Sequence, residues 1–150
     1  ECPTLNIAIK KGVFSKVGNF DESFECGEDV DFCWRSIDAG YKIRYANDAT
    51  ISHNWGSWKQ EIKRSFWYGT ARVMLYKKHT RRIKYLFTHD KIVLIYPLFI
   101  LGLPLTLIFP FYPLLILIPI FKNKEEKPFH VIVDHLVYGL GVLKQLITIL

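Results

Sequence analysis

The period of hydrophobic and polar positions changes several times along the chain. Leu5-Asn6-Ile7-Ala8-Ile9 alternates as a strand does. Lys10 to Val17 predicts a short helical turn, and Gly18-Asn19-Phe20-Asp21-Glu22 carries the residues of a loop. From Glu28 the period becomes helical. Val30, Cys33, Trp34 and Ile37 fall at i, i+3, i+4 and i+7, and Gly40 stands where a helix of that register would stop. Two further strand-like runs, Tyr41 to Tyr45 and Ala49 to Ser52, follow on either side of Asn47-Asp48. The order predicts an α/β layer over residues 1–57.

From Ser57 to Thr88 the texture is different. Trp58, Ile62, Phe66, Gly69 and Val73 line up at helical spacing, while Lys59, Lys63, Arg64, Arg72, Lys77 and Lys78 mostly lie off that line. Apolar residues with aromatics on one side and cations on the other suit a membrane interface, so 58–91 is expected to be a basic amphipathic interfacial segment. A basic helix packed on its own domain is the alternative. Residues 92–121 then hold no charge. As one helix they would reach about 45 Å, more than the roughly 30 Å of a hydrocarbon core. Prolines at 97, 104, 110, 113 and 119 argue against one straight rod and favour a hairpin broken near Pro110-Phe-Tyr-Pro113. Phe129 to Leu150 is apolar but includes Asp134, His135 and Lys144, which fits either a further span or a helix lying in the interface. Residues 92–150 are thus expected to be membrane-associated helices.

The 20 Lys/Arg and 14 Asp/Glu are unevenly placed. Residues 1–58 hold six cations against nine acids, and 59–91 hold ten against two. A basic block directly before a long apolar run points to anionic lipid rather than to nucleic acid, and it places residues 1–91 on the cytoplasmic side. Cys2, Cys26 and Cys33 have no CxxC spacing, and Cys33 lies on the apolar side of its helix, so a reduced, buried thiol is expected there. There is no initiator Met, and the first strand reads as already under way. The chain is therefore expected to be a piece of a longer protein.

Gly27-Glu28-Asp29-Val30-Asp31-Phe32-Cys33-Trp34-Arg35 is the densest chemistry in the sequence. Glu28 and Asp29 open a helix, where the dipole favours negative charge, and a carboxylate crowded by other acids is a candidate general base. Helix capping alone is the plainer explanation. Asp31 and Arg35 form an i,i+4 pair, worth a few tenths of a kcal/mol on an exposed surface.

Asn6, Ala8, Lys10-Lys11, Phe14, Val17-Gly18, Phe20-Asp21-Glu22 and Phe24 precede this stretch in order. Gly27-Glu28-Asp29, Asp31-Phe32, Arg35, Ala39-Gly40-Tyr41 and Ile51-x-His53 continue it. Over about residues 4–55 this series resembles the C-terminal part of a family 2 glycosyltransferase catalytic domain. The resemblance implies a GT-A fold, an α/β nucleotide-sugar domain, followed here by α-helical membrane segments. It implies inverting transfer from a nucleotide-sugar donor to a lipid-linked or surface-glycan acceptor at the cytoplasmic face. Asp29 maps to the base that takes the acceptor's proton. Glu28, Asp31, Trp34 and Arg35 map to the substrate side, and His53 to a ligand of the Mg²⁺ or Mn²⁺ that holds the donor diphosphate. The family's nucleotide-binding half and its aspartate metal motif are not in these residues. The competing function is a non-catalytic, membrane-anchored module that binds partners or lipid through 58–91.

Overall fold

The computed structural model describes residues 4–54, 56–118 and 128–150. The chain forms two compact units, one up to residue 55 and one from Gly56.

In the first unit a 3-10 turn at Thr4–Asn6 leads to α1 (Lys11–Val17) and α2 (Glu28–Asp38). Gly27 enters α2 with φ 87°, a conformation that glycine adopts without a Cβ penalty. Gly40 leaves it with the same φ. There the Gly40 amide donates to Ile37 O (2.9 Å) and the Tyr41 amide to Ser36 O (3.0 Å), the paired bonds of a Schellman motif. Val30, Cys33 and Trp34 of the expected stripe are buried, whereas Ile37 is exposed. Phe14 of α1 meets Phe32 at 5.1 Å between ring centroids, and Phe20 of the loop meets Phe32 at 4.8 Å. These three rings join loop and helices.

The α/β expectation fails. Among the described residues there is no strand, so the unit is not the expected GT-A sheet layer. Leu5 to Ile9 begins within the 3-10 turn and then has no regular structure, and 41–45 and 49–52 have none either. Alternation makes a strand only against a partner ladder, and none of the three runs finds one. Their apolar residues lie open accordingly, Tyr45 at 85% and Ile51 at 52% exposure. Instead of a ladder, Asn6 Nδ2 donates to Ala49 O at 2.7 Å and ties the first run to the last. Cys33 departs from expectation as well: it is buried but disulfide-bonded, so the cysteines carry no argument for a reducing compartment.

The second unit is helical. α3 (Trp58–Lys78) starts where Gln60 Oε1 accepts the Ser57 amide at 2.8 Å, half of a capping box. A 3-10 turn at Thr80–Arg82 and α4 (Ile83–Thr88) lead into α5 (Ile92–Leu101). Further 3-10 turns occupy Leu103–Leu107 and Tyr112–Leu117, and α6 (Pro128–Ile149) closes the unit. The expected Pro119 break and the 122–127 loop lie outside the described residues. α3 and α6 run side by side in the same direction. Trp58 meets His130 (centroids 4.6 Å), Ser65 donates to Asp134 (3.3 Å), and Gln145 Nε2 reaches Met74 Sδ (3.2 Å). Near the middle the two backbones touch through glycine. A Cβ on Gly69 would lie 2.1 Å from Tyr138 O, and one on Gly141 would lie 2.1 Å from Phe66 O. Gly139, between them in α6, packs against Tyr96 of α5.

Candidate functional site

The first turn of α2 holds the acidic cluster at graded depth. Glu28 and Asp29 are partly exposed, Asp31 is fully buried, and Trp34 is buried at 6% exposure. Asp29 is gripped from two sides by backbone. Its Oδ2 accepts from the Thr4 amide at 3.3 Å and its Oδ1 from the Val30 amide at 2.7 Å. The carboxylate is oriented by main chain while remaining reachable from water, which is what a group that takes a proton from a bound hydroxyl requires.

Asp31 and Arg35 are occupied differently. Arg35 Nε donates to Asp31 Oδ2 at 2.8 Å, one guanidinium nitrogen donates to Val17 O, and the other to Asn19 O at 2.8 Å. The fork therefore binds a buried carboxylate and both carbonyls flanking Gly18, and its plane lies 5.4 Å from the Phe32 ring centroid. Arg35 thus pins the end of α1 and the Phe20 loop onto α2. Glu28 and Asp29 sit together at the helix start, and Asp31, Trp34 and Arg35 lie deeper in the same helix.

His53 is exposed, beyond the 49–52 run. Among the described residues no group of three or more His, Cys, Asp or Glu gathers to hold a metal ion. Mg²⁺ and Mn²⁺ want several oxygen donors, and the described residues alone do not assemble such a set.

Polar groups that the sequence left without a role meet in the second unit. Asp90 accepts from Tyr76 OH at 3.0 Å and pairs with Arg72 Nε at 3.3 Å. Burial, followed by the Asp90 charge and hydrogen bond, holds the Tyr76 hydroxyl above the ordinary phenol range. Tyr96 OH lies 2.7 Å from His135 Nδ1. The i,i+4 logic that reads one helix cannot see these pairs, because each joins separate elements. An apolar cavity of about 620 Å³ opens beside Tyr96, Phe99, Tyr112 and His135. Its polar lining is Tyr96, Tyr112 and His135, and the rest is aliphatic or aromatic.

A partly exposed carboxylate set by backbone amides at a helix start can serve as a helix cap or as a base, and similarity to known proteins bears on the choice. Over about half of its length the chain is similar to glycosyltransferases. It is 36% identical over 78 residues to the pre-mycofactocin glycosyltransferase of Mycobacterium tuberculosis, covering 51% of this chain and 17% of that protein. It is 39% identical over 61 residues to the O-antigen chain rhamnosyltransferase WbaN of Salmonella anatum, 39% of this chain and 19% of the relative. Glycosyltransferase AglE of Haloferax volcanii shares 27% over 73 residues, 49% and 24% of the two chains. The matched stretch thus spans a quarter or less of each relative's own length. No family model and no solved structure matches.

Proposed function

We propose that this chain supplies the acceptor side of a membrane-associated, inverting family 2 glycosyltransferase. The donor is a nucleotide sugar and the acceptor is a lipid-linked or surface-glycan hydroxyl. Asp29 takes the hydroxyl proton. The acceptor oxygen forms its bond to the anomeric carbon on the face opposite the leaving nucleoside diphosphate, which departs with the bonding electron pair. Glu28, one residue earlier at the same helix start, contacts the acceptor. The observation that carries the reading is the Asp29 carboxylate, held by the Thr4 and Val30 amides yet open to solvent. Similarity to transferases over half of the chain supports it.

The test is Asp29→Asn in the full-length enzyme. Shape is kept and proton affinity is lost, so turnover at saturating substrate falls by about 10²–10⁴-fold while donor binding is retained. Glu28→Gln raises the acceptor KM more than it lowers kcat. Near-normal turnover of Asp29→Asn would return the cluster to helix capping and place the base on another residue.

A further inference from the structure

We propose that the second unit is monotopic: its described residues enter one leaflet of an anionic bilayer and cross it nowhere. This rests on the second unit alone and stands whether or not Asp29 is the base.

The uncharged run from Ile92 does not form a rod. α5 ends at Leu101 after 10 residues, about 15 Å, half of a hydrocarbon core of roughly 30 Å. The chain then doubles back. Tyr112 stacks on Phe99 with centroids 5.3 Å apart, and its hydroxyl donates to Phe99 O at 3.1 Å. Gly102 leaves room for that return, since a Cβ there would lie 2.1 Å from the Tyr112 hydroxyl. The tip is apolar and uncovered: Leu107 is 90% exposed, Ile108 70%, Phe109 63% and Phe111 78%. A patch of this kind marks a surface that is covered in use. Part of its backbone is already paired, which matters in hydrocarbon because hydrocarbon satisfies no amide. The Ile108 and Phe109 amides donate to Leu105 O, the Tyr112 amide to Phe109 O and the Leu114 amide to Phe111 O.

α6 alone among the described helices is long and apolar enough to cross a membrane. Its packing forbids that. It lies along α3 from Trp58 to Met74, so a crossing would carry Lys63, Arg64 and Arg72 into the bilayer. The least charged stretch of α3, residues 65–76, is 12 residues long and includes Arg72, which is interfacial rather than spanning length. The two helices therefore lie together at headgroup level. Lys77, Arg81, Lys84 and Lys91, all exposed, crowd the approach to Ile92 and match anionic headgroups above the leaflet that the hairpin enters.

The experiment places single cysteines in the full-length protein at three exposed positions, Lys84→Cys, Phe111→Cys and Thr148→Cys. The parent chain is the reference for its native thiols. A membrane-impermeant maleimide is applied from each face. Residues 84 and 148 label from the same face, and 111 labels from neither. A fluorophore on 111 then loses most of its emission in phosphatidylglycerol-containing vesicles whose acyl chains carry a nitroxide. Labelling of 84 and 148 from opposite faces overturns the proposal, as does aqueous labelling of 111 from either side. So does a protected but unquenched 111, which would mean that protein and not lipid covers the tip.

Discussion

Arg35 holds more of the first unit than its charge suggests. As an exposed i,i+4 pair with Asp31 it would contribute a few tenths of a kcal/mol. With Asp31 fully buried and the same guanidinium bonded to Val17 O and Asn19 O, the sum is larger. Arg35→Lys keeps the charge and loses the fork, so it destabilises the unit by about 1–3 kcal/mol. Arg35→Met breaks the buried ion pair and costs about 3–5 kcal/mol. Hydrogen exchange at residues 18–24 reads both, and unchanged protection there would show that the Phe20 loop is held by its rings alone. The pairing was legible in the sequence, whereas the depth was not. Three acids in four residues read as surface, and only the tertiary contact of α1 with α2 buries one of them. Asp134 is a second residue whose setting the sequence concealed. Burial, then the Glu61 charge, raises its carboxyl above the usual range, against opposing help from Ser65, His135 and His130. A raised acid binds its proton more tightly when folded, so its contribution favours the fold at low pH and is lost as pH rises through the folded value. Asp134→Asn accordingly raises the thermal midpoint at about pH 7 and leaves it unchanged at about pH 3, where the aspartate is protonated in both states. An equal shift at both pH values would trace the effect to packing instead.

At the scale of elements, helices were readable and strands were not. The stripe in α2, its glycine stop and the line from Trp58 through Gly69 to Val73 depend on neighbours within one helix, and those neighbours are in the sequence. Strand formation depends on a ladder from elsewhere. The runs at 5–9, 41–45 and 49–52 have the alternation without the ladder, and none of them becomes a strand. Gly69 was visible as part of an apolar line, but its purpose lay in α6. Gly69 and Gly141 let the α3 and α6 backbones touch, each seating a carbonyl of the other helix. Gly141→Val pushes a branched side chain into Phe66 O. It is expected to destabilise the second unit by about 1–3 kcal/mol, even though valine has a higher helix propensity than glycine. Gly141→Ala is the milder probe of the same contact. Thermal unfolding of the full-length protein measures both, and a Gly141→Val midpoint equal to the parent's would mean that the helices separate there at no cost.

For the molecule as a whole, the division of charge is the most informative feature of the sequence: net acid up to residue 58, then ten cations against two acids over 59–91. Its chemical meaning is partial in each unit. The first presents Asp29 and Glu28, and among the described residues no group of three or more metal-ligating side chains gathers; ligands that converge on an ion come from separate segments, which linear spacing does not report. In the second, the cations precede an apolar hairpin in the chain, so on the proposed leaflet insertion attraction to headgroups and burial of apolar side chains would act together. The two contributions separate by salt and by lipid charge. A cation near an anionic surface contributes about 1 kcal/mol, so replacing Lys77, Arg81, Lys84 and Lys91 by glutamine removes roughly 4 kcal/mol and lowers affinity for anionic vesicles by up to about a thousandfold. Salt at about 1 M, where the Debye length shrinks to about 3 Å, should bring the parent protein close to the variant. On neutral phosphatidylcholine vesicles the two proteins should float alike, because the hairpin contributes equally in both. A variant that loses neutral vesicles as well has lost its fold or its hairpin rather than its headgroup contacts. One that keeps full affinity for anionic vesicles would show that these four cations face water or another part of the protein.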